Sequence, residues 1–269
     1  MTDRPTLRPM GLLEIVDQTF RLYRANFWLF LGIAAVVHVP LYLLSPAVSL
    51  WDRVSGFPST TWWTLILSFV VAAALTKAVS DRYMGDRATI GTSYAYIGRR
   101  LAPLIGTILV MFLFVASGIV LLLVGLIVFA FWVSFVTEVF VIEDKRYFKA
   151  IWRSRFLIGD HVWEGVLVLG LVTGVIALVI QLPAYALDAA LGSATGKLWV
   201  LRALVTGLSS SLALPISIVS SILLYYDSRV RKEGFDLEIL ARELGKGPTA
   251  PTGSVPLPPP EHPAADNRP

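Results

Sequence analysis

A chain of 269 residues that is 55% hydrophobic and only 16% charged lies well below the roughly 25% charge of an average soluble domain. Its mean hydropathy of +0.68 excludes an ordinary water-facing protein, and the absence of cysteine excludes a disulfide framework, a thiolate nucleophile and a cysteine metal site. The isoelectric point near 9.4 would suit nucleic acid, but the basic residues stand in short blocks between apolar runs, which is the pattern of membrane topology.

The first predicted element is amphipathic. Leu12, Leu13, Val16, Phe20, Tyr23 and Phe27 recur at helical spacing, with Glu14, Asp17, Gln18, Arg21 and Arg24 on the other face. Asp17 and Arg21 form an i,i+4 pair of favourable orientation. No short apolar stretch ending in a small-residue cleavage site precedes it, so no cleavable signal peptide is expected. Span 1 follows from Phe27 to Leu44, and span 2 from Trp62 to Ser80, opening with two tryptophans that suit an interfacial belt. A second amphipathic segment carries Ile90, Tyr94, Ile97 and Leu101 on its stripe, with Arg99 and Arg100 at the membrane edge.

The run from Leu101 to Ile142 has no charge before Glu138. As one helix it would reach about 63 Å, twice the thickness of a bilayer core. It therefore divides into spans 3 and 4, with the turn placed near Gly125. A third amphipathic segment sets Tyr147, Phe148, Ile151 and Trp152 against Arg146, Lys149 and Arg153. Span 5 runs from Val162 to Pro183 and span 6 from Val205 to Tyr226. Gly234 should break the helix that follows, and Asp236 should cap a short amphipathic one carrying Leu237, Leu240 and Leu244. Residues 247–269 are proline-rich and read as a disordered cytoplasmic tail.

Charge tests the span count independently. Of 23 lysines and arginines, only Arg53, Lys197 and Arg202 fall in the alternate loops. The positive-inside rule thus places both termini in the cytoplasm of a multi-pass cell-membrane protein. The fold class is all-α and polytopic: six transmembrane helices arranged as three interfacial-helix-plus-hairpin units, spanning residues 1–246.

Ionisable groups within spans are the default functional candidates, and His38, Lys77 and Glu138 stand out. Lys77 and Glu138 lie at similar depth on helices running the same way, so they could meet as an ion pair. A proton or ion relay is the functional reading. The structural reading is favoured, since neither group sits at the bilayer centre, where the cost is greatest. His38 precedes Pro40, whose missing N–H leaves a carbonyl for neighbours to satisfy. Pro215, among Ser209, Ser210, Ser211, Ser217, Ser220 and Ser221, makes span 6 a kinked, serine-rich helix suited to close packing or to lining a polar cavity. Asp160, His161 and Glu164 cluster at the start of span 5, too few for a metal site. No cofactor and no catalytic constellation are expected.

Two stretches carry a family resemblance. EDKRYFKAIWRSRFLIGDHVW at 143–163, through Glu143, Ala150, Arg153, Ser154, Leu157 and Trp163, resembles the segment after the fourth span in the bacterial glycerophosphoryl-diester-phosphodiesterase membrane-domain family and its relatives of unknown function. LYYDSRVRKEGFDLEIL at 224–240 and LRPMGLLEIVDQTFRLYRANFW at 7–28 resemble the closing and opening segments of actinobacterial members. Where that family has Pro-Gly at the turn between spans 3 and 4, this chain has Val124-Gly125. The resemblance implies a membrane module. The soluble catalytic barrel fused to some members needs about 250 residues, and no catalytic residue carries over.

The functional expectation is a non-catalytic membrane module for assembly or lipid- and envelope-related work. Arg21, Arg24, Arg99, Arg100, Arg146, Lys149 and Arg153 would meet anionic headgroups or a membrane-protein partner, including a second copy of the chain. The alternative is a small-solute or lipid transporter, with His38, Lys77, Glu138 and the serine face lining its path.

Overall fold

The computed structural model describes residues 9–56, 59–118, 124–159, 162–191 and 198–237. Ten helices form among them: α1 (Leu12–Ala25), α2 (Phe27–Ser55), α3 (Ser59–Tyr83), α4 (Ile90–Gly98), α5 (Leu101–Ser117), α6 (Val124–Trp132), α7 (Val136–Glu143), α8 (Phe148–Ile158), α9 (Val162–Leu191) and α10 (Trp199–Glu233). No strand occurs in the described residues. Five helical stretches are long and apolar enough to cross a bilayer, and a sixth is added if α4 and α5, bent by 73° at their junction, count as one span. The chain is an all-α, multi-pass membrane protein.

The long helices outrun their apolar runs. A helix satisfies its own backbone polar groups, so nothing in lipid forces it to stop where hydropathy falls. α2 passes Leu44 and ends on left-handed Gly56, whose N–H donates to Asp52 O at 2.9 Å. α9 continues through Pro183, where an end was expected, and α10 carries Pro215 within 35 residues. Gly234 (φ 62°) terminates α10 as the sequence predicts.

The long run divides close to Gly125, since α5 ends at Ser117 and α6 begins at Val124. The residues between, 119–123, fall outside those described. Gly125 also has a packing role. A Cβ at Gly118 would lie 2.8 Å from the backbone of Gly125 and Leu126, so the two arms of this helical hairpin touch through glycine. Phe114 stacks on Phe129 beside that contact, with centroids 4.5 Å apart. Gly118→Val should therefore overpack the hairpin and cost about 1–3 kcal/mol, read as a lowered midpoint of thermal unfolding in detergent. An unchanged midpoint would refute the close approach.

The fourth apolar run is itself interrupted. Between α6 and α7 the chain turns at Val133–Phe135, and the Phe135 N–H donates to the buried Ser154 Oγ of α8 at 3.0 Å. A polar side chain from α8 thus satisfies a donor that the break exposes. That contact helps to fix α8 against α6 and α7.

α10 is the central element. It packs most extensively on α2 and α9, and further on α1, α3 and α8. α1 is no detached surface helix. It lies antiparallel to α10, from Met10 at Asp227 to Tyr23, whose hydroxyl donates to Leu212 O at 3.2 Å. Its packed side is Ile15, Thr19 and Tyr23, whereas Leu13, expected on the apolar stripe, is 87% exposed. The apolar half of the helix is wider than its packed stripe, so periodicity alone does not choose between them.

α8 shows the same shift. Ala150, Ile151, Ser154, Leu157 and Ile158 pack inward, and Tyr147, Phe148 and Trp152 face out. The expected cap at Asp236 falls in a described turn of helix. The rest of that amphipathic segment, and the proline-rich tail, lie outside the described residues, as do Asp160 and His161.

Candidate functional site

Two groups of polar side chains stand out against this apolar scaffold. The first surrounds the end of α10 that carries most of the basic residues. Tyr225 Oη donates to Glu143 Oε1 at 2.8 Å, and Arg153 Nε donates to both Glu143 oxygens at 2.7 and 3.0 Å. The other arm of Arg153 reaches Glu233, with Nη2 donating to Oε2 at 2.7 Å. Arg229 also holds Glu233, at 3.1 Å, and Lys145 also holds Glu143, at 2.8 Å. Burial works against the charge of Arg153, but the bonds to Glu233 and Glu143 outweigh it and raise the guanidinium above its ordinary value. One cation thus clamps α7, α8 and α10 together.

A second clasp ties in the start of α1. The Met10 N–H donates to Asp227 Oδ1 at 2.7 Å, while Arg231 donates to Asp227 Oδ2 at 2.8 Å and to Met10 O at 2.7 Å. Lys232 Nζ closes the far side on Phe156 O at 2.6 Å.

Outside this frame lies a cationic-aromatic surface. Phe148, Trp152 and Phe156 are exposed along α8, with Lys149 and Arg155 between them. Arg155 lies 4.0 Å from the Trp132 ring centre and 5.0 Å from that of Trp152. The end of α4 extends the surface: Arg99 is exposed, and Arg100 sits 4.1 Å over Tyr96 and 3.4 Å from Asp144. Arg146 also reaches Asp144, at 3.2 Å. Arg21, paired with Asp17 at 2.6 Å, and the exposed Arg24 stand apart from this surface, near Tyr23 at the level of Leu212 on α10. Arg153 departs from expectation by turning inward to the two glutamates. Its packed neighbours Ala150 and Ile151 set the helix face, and that face carries Arg153 toward α10.

The second group follows one face of α10 through the bundle. Ser210, Ser217, Ser221 and Tyr225 recur at helical spacing over about 23 Å. Ser221 Oγ donates to Glu138 Oε1 at 2.5 Å, and Glu138, only 2% exposed, leaves its other oxygen without a hydrogen-bond partner. Higher up, Gln181 Nε2 donates to Ser210 Oγ at 3.1 Å, and Ser210 reaches Tyr42 Oη at 3.4 Å. His38 Nε2 lies 3.4 Å from Ser68 Oγ.

Two cavities open along this face and share Ser217. One, of about 180 Å³, lies between Ser134, Thr173, Ser220 and Ser221. The other, of about 230 Å³, is lined by His38, Tyr42, Ser68, Gln181 and Ser210.

Lys77 belongs to neither cavity. Its ammonium pairs with Asp81, one turn along α3, and lies 5.2 Å over the Tyr96 ring. Glu138 takes Ser221 instead, so the pair between Lys77 and Glu138 is not formed. An i,i+4 carboxylate on the same helix is nearer than one on a neighbour. The spacing Lys77-x-x-x-Asp81 signals this in the sequence. Gln181, Tyr42 and Ser68 carry no comparable signal, because isolated uncharged polar residues in apolar helices have no spacing of their own. Comparison with protein-family models, with curated proteins and with solved structures finds no match to this chain.

Proposed function

We propose that this chain is a non-catalytic membrane module whose basic, aromatic face engages anionic lipid headgroups and, through them, neighbouring membrane proteins or further copies of itself. In this reading the chain has six spans as three short-helix-plus-hairpin units, with both termini in the cytoplasm of the cell membrane. The observation that carries it is the exposed row Phe148, Lys149, Trp152, Arg155 and Phe156 on a helix fixed by Arg153 and Ser154. Aromatic rings seat at the headgroup level while cations meet phosphate. The charge asymmetry of the loops supports the cytoplasmic assignment. The resemblance of residues 143–163 to a membrane-domain family fits the same reading.

Replacing Arg99, Arg146 and Lys149 together by glutamine tests it. Each basic residue near an anionic surface contributes about 1 kcal/mol, so the preference for anionic lipid should fall by up to about a hundredfold. Native mass spectrometry of protein from nanodiscs mixing phosphatidylglycerol with phosphatidylcholine reads that preference. A wild-type protein carrying lipid in the bulk ratio would sink the proposal.

The cavity at His38 favours a second reading, in which the serine face of α10 serves passage of a small solute. Lys77 has no part in it.

A further inference from the structure

We infer that the cavity between α2, α3, α9 and α10 is a binding site for a small uncharged molecule bearing hydroxyl or amide groups. This deepens the passage reading, since it names the site and ligand class that passage would use.

Three prolines flank the cleft. His38 stands two residues before Pro40, Gln181 two residues before Pro183, and Ser217 two residues after Pro215. Each proline lacks an N–H and cannot bond the carbonyl one turn back, so it loosens its helix at that level. Three long apolar helices thus place a proline beside one cleft while remaining helical through it. Proline inside a span is tolerated because neighbouring helices and polar side chains satisfy the carbonyl it frees. His38 follows Phe27 by eleven residues, and Ser210 follows Trp199 by eleven. Both lie about 17 Å along their helices, and Gln181 lies about 28 Å along α9, so the cleft sits in the half of the bundle away from its basic end.

Unpartnered atoms point the same way. His38 is 3% exposed, lines the cavity, and has no hydrogen-bond partner at Nδ1. Gln181 lines it as well, and its Oε1 is buried without a partner. Both side chains are already held by their other atoms, His38 through Ser68 and Gln181 through Ser210. The free atoms are therefore fixed in place. Leaving such groups unsatisfied is unfavourable, and a ligand with matching groups relieves it.

Size and charge define the ligand. The site is a partly open cleft of about 230 Å³, roughly eight times the share of a single water in the liquid. It also lies below the range of about 300–1,000 Å³ usual for drug-sized ligands. No Asp, Glu, Lys or Arg lines it, so an ionic ligand would be buried without a counter-charge. Gln181 Oε1 calls for a donor on the ligand. His38 Nδ1 donates or accepts according to its tautomer, and the hydroxyls of Tyr42 and Ser217 do either. Ala177, Ala213 and Leu214 form an apolar wall. Small alcohols and primary amides satisfy all of these demands.

The chain has three histidines, so changing His161 and His262 to glutamine leaves His38 as its only imidazole. The full chain so altered, isotope-labelled at histidine and held in lipid nanodiscs, is titrated with erythritol, acetamide and acetate while the imidazole nitrogen resonances are followed. We expect a saturable displacement of Nδ1 with erythritol or acetamide and none with acetate. Gln181→Leu removes a hydrogen bond and should weaken binding about tenfold. Ala177→Leu fills the space from α9 without touching a polar group, and should abolish binding even if Gln181→Leu misfolds. Overturning results are the absence of saturation with both uncharged probes, equal response to acetate, or a displacement that survives Ala177→Leu. A saturable displacement without acetamide flux into vesicles supports the site and removes only the passage reading.

Discussion

Arg153→Ala should be the most damaging single substitution at the basic end of the bundle. The guanidinium keeps 15% of its surface exposed and is held by Glu143 and Glu233 at once. Removing one partner of a fully buried ion pair typically costs about 3–5 kcal/mol, because the remaining charge stays out of water. Here water reaches the Glu233 side, and Lys145 and Arg229 remain to cover the two glutamates, so a loss of about 2 kcal/mol is the expectation. The measurement is thermal unfolding of detergent-purified protein, with Arg153→Lys alongside. Lysine keeps the charge but cannot fork between two carboxylates on different helices. It should recover less than half of the loss. If Arg153→Leu combined with Glu143→Gln and Glu233→Gln is as unstable as Arg153→Ala, uncompensated charge is not the cause, and simple packing must be.

Gly207→Leu should have an effect of similar size at the centre of the bundle. A Cβ on Gly207 would lie 3.2 Å from Val39 Cα and 3.5 Å from His38 O. The contact is to backbone, which cannot rotate away as a side-chain tip can. Small residues at such crossings let helices approach in a bilayer, where no hydrophobic force drives them together. Gly207→Ala adds a single methyl at a tight but bearable distance and should cost about 1 kcal/mol. Leucine must push α2 off α10, costing several times that, and it should also disturb the His38–Ser68 contact. Thermal midpoints that order wild type, alanine and leucine on this scale would support the crossing. Equal midpoints for alanine and leucine would contradict it.

The long apolar helices were legible because lipid imposes a minimum length and a hydropathy that no other constraint produces. The alternation of basic loops added their order. The positions of helix ends were not legible, and Pro183 shows why. Proline ends a helix in water by exposing a carbonyl, but neighbouring helices tolerate it inside a bundle. Which face of α1 or α8 packs was also hidden. Leu13 and Ile15 are both apolar, and only the tertiary neighbours separate lipid contact from protein contact. Among the polar candidates, His38 and Glu138 were visible as ionisable groups in spans. Their actual partners, Ser68 and Ser221, were not, since short hydroxyl side chains carry little pattern. Asp81 as the partner of Lys77 was written in the spacing and yields the general lesson that local pairs compete first.

The place of α10 in the fold has a consequence for how the protein is made. α10 is the main packing partner of both α2 and α9, and it holds Met10 from 217 residues away through Asp227. Ribosomal synthesis delivers that helix after every other long one. During translation the earlier helices therefore wait in the bilayer without the surface they are shaped to meet. Glu138, Gln181 and Ser80, whose partners Ser221, Ser210 and Tyr226 lie on α10, must find temporary partners or water meanwhile. Assembly is thus set by a late closing event rather than by growth from the amino end. Nascent chains arrested before Trp199 should remain loosely associated and open to quality-control proteases.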